Sequence, residues 1–228
     1  MRVDVELCVS DVEGCTIAAR AGCARIELCR DLEVGGLTPP DALVADVLAA
    51  VRGIDVQILV RSRPGGFTYT RSEIERMADD IARLRELTSG TEDRVGFVVG
   101  CLTADGAVDV AHLRRLVSAA DGRPVTFHRA FDEVHDQVGH LLTLAEAGVS
   151  RVLTTGGDPR LADVRQLRRL VAAAPAGITI LASGGLRAGN VAAVAAACGA
   201  REVHMRAPDG RGGTDEREVE QIIAALTR

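Results

Sequence analysis

The sequence predicts an α/β chain folded as a closed (β/α)8 barrel, a single-domain TIM barrel over residues 1–228, and three features point there. Short aliphatic segments alternate eight times with amphipathic stretches of helical length. A pattern of helix stop, short turn and new strand recurs at Ala21-Gly22-Cys23-Ala24-Arg25-Ile26, Ala147-Gly148-Val149-Ser150-Arg151-Val152 and Cys198-Gly199-Ala200-Arg201-Glu202-Val203. The composition is 47% hydrophobic but only 2% aromatic, without Trp, and small or branched aliphatics suit parallel strands packed beneath helices. A doubly wound open sheet is the alternative, weakened by the absence of the GxGxxG and GxxxxGK(S/T) fingerprints.

The first strand ends in Val5-Glu6-Leu7-Cys8, and Ser10-Asp11-Val12-Glu13 reads as a capping box opening a helix that stops at Ala21-Gly22. The second strand repeats the motif as Ile26-Glu27-Leu28-Cys29. A long loop over residues 30–40 follows, with Thr38 as cap and Pro39 at the first helical position of helix two. Strand three is expected over 56–61, then a Gly/Pro/Arg loop, then a helix capped by Thr70 and Glu73 that runs to about Leu87. Strand four covers 94–100 and its helix 109–120; strand five covers 124–129 and its helix ends at Ala147-Gly148. Strand six (151–155) leads to a helix near 160–174, and strand seven (178–182) to Ser183-Gly184-Gly185 and a helix near Arg187. Strand eight (202–205) precedes the last helix, from about 215.

Net charge is −5 and all 27 basic residues are Arg. Without Lys there is no Schiff-base chemistry, and a mildly acidic chain gives no reason to expect nucleic acid or a membrane surface as partner. The chain enters its first strand without a signal peptide, and no apolar run is long enough to span a bilayer, so the cytoplasm is the expected compartment. There the six Cys are expected as free thiols or metal ligands rather than disulfides.

In a barrel of this kind the working face is built from the C-terminal strand ends. Alternation along a strand puts Glu6 and Cys8 on one face, and Glu27 and Cys29 on the equivalent face of the next. Two carboxylates side by side cannot both ionise cheaply, and Arg61 on strand three is their expected counter-charge. With His128 they form a candidate acid-base set of Glu6, Glu27 and His128; a structural ion cluster filling the barrel explains the same residues. Cys8 and Cys29 could hold a soft ion such as copper(I), with the Met205 thioether nearby. Small buried thiols or a redox disulfide are the alternatives. Arg63, Arg129, Asp132, Thr154, His204 and Arg206 join the expected rim. Ser183-Gly184-Gly185 has the form of a backbone anion site, or of a tight turn that needs Gly.

Taken together, Glu6-Leu7-Cys8, Arg25-Ile26-Glu27-Leu28-Cys29, Gly35-Gly36-Leu37-Thr38-Pro39, Arg61-Ser62-Arg63, Val125-Thr126-Phe127-His128-Arg129-Ala130-Phe131-Asp132 and Arg151-Val152-Leu153-Thr154-Thr155-Gly156 resemble the CutC copper homeostasis family along nearly the whole chain. The resemblance implies a cytoplasmic (β/α)8 barrel, usually a homo-oligomer such as a dimer or tetramer, with Cu(I) at Cys8 and Cys29. The chain departs from the family pattern at Gly66, where an acidic residue is usual, at Ser183, where Gly is common, and at Arg206, where a small residue is usual. Two functions follow as expectations: a copper homeostasis protein binding Cu(I) through Cys8 and Cys29, or a lyase or isomerase acting on a small anionic ligand. In the second, Glu6, Glu27 and His128 would move protons while Arg61, Arg63 and Arg129 hold charge. An oligomeric scaffold is the weakest of the three.

Overall fold

A computed structural model describes residues 2–91 and 93–227 of the chain. Its strands are β1 (Asp4–Val9), β2 (Arg25–Leu28), β3 (Asp55–Leu59), β4 (Val95–Val99), β5 (Val125–Phe127), β6 (Arg151–Thr154), β7 (Thr179–Ala182) and β8 (Glu202–Met205). The helices that follow them are α1 (Val12–Ala21), α2 (Asp41–Ala50), α3 (Arg71–Leu87), α4 (Val110–Ala120), α5 (Gln137–Glu146), α6 (Val164–Ala173), α7 (Val191–Cys198) and α8 (Glu216–Leu226). All neighbouring strands pair in parallel, and β8 returns to pair with β1, closing the barrel. The alternative of an open doubly wound sheet is thereby excluded.

Closure follows from two-residue alternation. Outward positions such as Leu7, Ile26, Ile58, Phe97 and Val203 are buried in one continuous apolar layer between strands and helices, which also takes in Cys15, Cys23 and Cys198. Inward positions are polar low in the barrel, with Glu6, Arg25, Gln57 and Thr126 all buried. Higher up, Cys8, Cys29, Leu59 and Val98 form a small separate apolar cluster capped by Leu32. The loop after β2 turns over this cluster through a 3-10 turn at Leu32–Val34 and an antiparallel bridge between Arg30 and Leu37.

Several expected element boundaries move. Asp11, not Ser10, caps α1, accepting a hydrogen bond from the Gly14 backbone N–H at 2.6 Å. Thr38 does not cap α2, which starts after Pro40; its hydroxyl instead exchanges hydrogen bonds with both backbone groups of Arg61. The Thr70 and Glu73 capping box of α3 is formed as expected. β5 is only three residues long, because His128 turns out of it to cap a 3-10 turn over Arg129–Glu133. α6 begins at Val164 rather than near 160, and α7 at Val191 rather than near Arg187.

Candidate functional site

One charged line runs up the barrel interior. Arg151 donates from Nε to Glu202 Oε2 at 2.8 Å, and Arg25 donates to the same oxygen at 2.5 Å. Arg25 Nε also reaches Glu6 Oε2 at 3.0 Å. His204 Nδ1 lies 2.9 Å from Glu6 Oε1, and its Nε2 lies 3.5 Å from Glu27 Oε2. The register explains the order: Glu6 is level with Arg25 on one side and His204 on the other, while Glu27 is level with Cys8. The two carboxylates are therefore staggered by one inward position, with His204 between them. Arg25, not the expected Arg61, is the counter-charge. Arg25 is two residues before Glu27, so the same alternation that picked out Glu27 could have found it.

Burial sets the electrostatics. It raises the Glu6 carboxyl, but His204 and Arg25 outweigh it and hold the group below its usual range. Glu27 is pushed up by burial and by Glu6, against the pull of His204. Burial pulls His204 down, yet Glu27 and Glu6 together hold it above its usual value. The Cys8 thiol is held well above the ordinary thiol range by its contact with Cys29, by burial and by Glu27. Its Sγ lies 3.7 Å from Cys29 Sγ, and Cys29 faces the Val9 carbonyl at the same distance. Cys8, Glu27 and His204 offer ligand atoms that all lie within 4.8 Å of one another.

Above this line opens a cavity of about 240 Å³. Cys8, Glu27 and His204 line it, together with Arg61, His128, Arg129 and Arg206. Leu32, Leu59, Phe67 and Leu153, none of them anticipated from the sequence, supply its apolar surface. Cys29 sits behind Cys8, and Glu6 is sealed beneath. Arg61 spends its guanidinium on the carbonyls of Val34 and Gly36, each at 3.1 Å, and of Gly65 at 2.7 Å, which pins the loop over the thiols.

His128 is not within reach of Glu6. Its Nδ1 accepts from the Ala130 backbone N–H at 3.1 Å, and its ring rests 4.9 Å from that of Phe67. Burial and the Arg61 charge push its pKa down to about 3, so the ring is neutral at physiological pH. The ring also needs Gly100 beneath it, where a Cβ would come within 2.3 Å of the imidazole.

Other expected rim residues make contacts within the protein. Arg63 pairs with Glu73 at 2.5 Å and lies over the Tyr69 ring, outside the cavity. Asp132 pairs with Arg129 at 2.9 Å and accepts from the Thr154 hydroxyl at 2.6 Å and the Thr155 backbone at 2.9 Å. Ser183 is buried, with its backbone N–H on the Thr154 carbonyl. Gly184, at φ 108°, packs so closely on the β6–α6 loop that a Cβ would stand 2.5 Å from the Ala162 nitrogen. The turn packs against the β6–α6 loop, with the Ala162 N–H donating to the Gly184 carbonyl at 3.0 Å. Met205 alternates with His204 and so packs outward among the helices, away from the thiols.

With this geometry in place, comparison with known proteins is informative. The sequence model of the CutC family matches residues 3–208. A CutC family protein of Parabacteroides distasonis is 36% identical over 208 residues, 91% of this chain and 84% of its own length. The human copper homeostasis protein cutC homolog is 39% identical over 208 residues, covering 91% of this chain and 74% of that protein. The crystal structure of CutC from Streptococcus agalactiae superposes with a TM-score of 0.81 at 30% identity, covering 90% of this chain and 98% of that one. Phosphoribosylanthranilate isomerase from Pyrococcus furiosus shares the barrel alone, with a TM-score of 0.65 at 15% identity. A match over nearly the whole length, in sequence and in structure, makes this chain a member of the CutC family.

Proposed function

We propose that the protein serves copper homeostasis by taking up Cu(I) as cargo through Cys8 and Cys29. The observation that carries this reading is the pair of sulfurs 3.7 Å apart on adjacent strands, beside an open cavity. Thiolates in low number favour Cu(I) over harder ions, and with Cys29 fully buried behind Cys8 the pair meets little competing water. His204 and Glu27 offer further ligand atoms within 4.8 Å of Cys8, and metal binding there releases the thiol protons. The six cysteines are all free and buried, in keeping with a reducing compartment such as the cytoplasm.

The test is an anaerobic Cu(I) titration against a competing chelator. One ion per chain is expected for the wild type and none at the site in the Cys8→Ser, Cys29→Ser double variant; equal uptake by both would remove the reading. Because the Cys8 proton must leave, the apparent affinity should rise with pH, by up to about tenfold per unit for each proton released.

A second reading rests on a different observation: Glu27 and His204, each held toward its protonated form, stand 3.5 Å apart in the cavity lining. That pair suits a lyase or isomerase acting on a small anionic substrate. In this reading the double Ser variant keeps its turnover, which separates the two.

A further inference from the structure

His128 and Arg61 share one wall of the cavity; Nε2 of the first has no acceptor, and the guanidinium of the second meets carbonyls but no carboxylate among the described residues. Since the Ala130 N–H donates to Nδ1 of His128, that nitrogen carries the lone pair and the proton of the neutral ring is on Nε2. This Nε2–H is buried, with no acceptor among the described residues. A buried donor without an acceptor is costly in a folded chain and calls for a cause. Arg61 is equally buried, and its hydrogen bonds go to carbonyls; among the described residues it pairs with no carboxylate. A buried charge is ordinarily paired. Phe67 joins the two, its ring 4.9 Å from that of His128 and 5.1 Å from the Arg61 guanidinium carbon.

We infer that this wall is the binding site for the carboxylate of a small organic acid, which accepts the His128 Nε2–H and balances the Arg61 charge. Arg206, which lines the same cavity and is exposed, adds attraction at the mouth. A carboxylate on a short carbon chain fits better than inorganic phosphate, because a cavity of about 240 Å³ partly walled by Leu32, Leu59, Phe67 and Leu153 suits an acid of a few carbons. The inference names the substrate class of the second reading above and rests on it for any turnover; binding itself stands without the reaction and without the thiols.

Lactate and inorganic phosphate, titrated separately into the purified full chain, test this by calorimetry and by 15N NMR of the imidazole. Lactate should bind at least about tenfold more tightly than phosphate. His128→Phe, which keeps a ring against Phe67 but no donor, should weaken lactate by about tenfold or more. Arg63→Ala, outside the cavity, should leave it unchanged. In the wild type the imidazole should carry its proton on Nε2, and that N–H resonance should move on adding lactate. The site is overturned by any of three results: no lactate binding at about 10 mM, phosphate binding as tightly as lactate, or undiminished lactate binding by His128→Phe. Should that variant not fold, an unmoved Nε2–H resonance in the wild type overturns it alone. Lactate bound without any turnover upholds the site and removes the enzyme; retention of lactate by the Cys8→Ser, Cys29→Ser variant keeps the site apart from copper.

Discussion

Arg25 joins two carboxylates, Glu6 at 3.0 Å and Glu202 at 2.5 Å, in a space closed to solvent. Paired charges of this kind add little net stability, but removing one partner strands the others at a cost of about 3–5 kcal/mol. The line of charge therefore fixes where His204 and Glu27 stand more than it strengthens the fold. His128 behaves differently, as a buried imidazole held neutral. Its pKa falls from the ordinary 6.5 to about 3 in the folded chain, so between those values the unfolded chain binds a proton that the folded chain does not. Stability contributed by this residue is then full above about pH 6.5 and is lost as pH falls toward 3. Compared with His128→Phe, the wild type should lose up to about 1.4 kcal/mol more per pH unit across that window. Urea unfolding at a series of pH values measures the difference; parallel curves would contradict a neutral buried ring.

At the scale of elements, caps and loops decide what the strands present. Asp11 holds the first turn of α1, so Asp11→Ala should cost about 1 kcal/mol while Ser10→Ala costs almost nothing, as read from chemical denaturation. Equal losses would restore Ser10 as the cap. Both residues are cap formers one position apart, and local sequence could not choose between them; the φ and ψ of Asp11 do. Thr38 shows the same limit. Its hydroxyl was available to a helix, but Arg61 of a distant strand offered both a donor and an acceptor. The loop it anchors, with Arg61 threaded through its carbonyls, is the cover over Cys8 and Cys29.

Across the whole molecule, the barrel itself was readable, because alternation, helix stops and repeated turns all agreed. Glu27, Cys8, Arg61, His128, Arg129, His204 and Arg206 do meet in one cavity, since each stands at or beside an inward strand end. What the sequence left open was stagger and closure. Arg25 and Glu202 are 177 positions apart and meet only because β8 closes on β1 through the registers that fix each level. The surroundings of Gly184 and Gly185 were hidden for a related reason: what packs against a glycine turn depends on chain outside it, here Leu161 and Ala162. That closure carries the central claim, because it seats the Cys8 thiol, a histidine and a carboxylate at one edge of the cavity, with Cys29 behind Cys8. X-ray absorption of the Cu(I)-loaded protein tests it most directly. The account predicts a first shell dominated by two sulfur scatterers that disappears in the Cys8→Ser, Cys29→Ser variant; a shell of nitrogen and oxygen alone, or one unchanged by the substitutions, would contradict it.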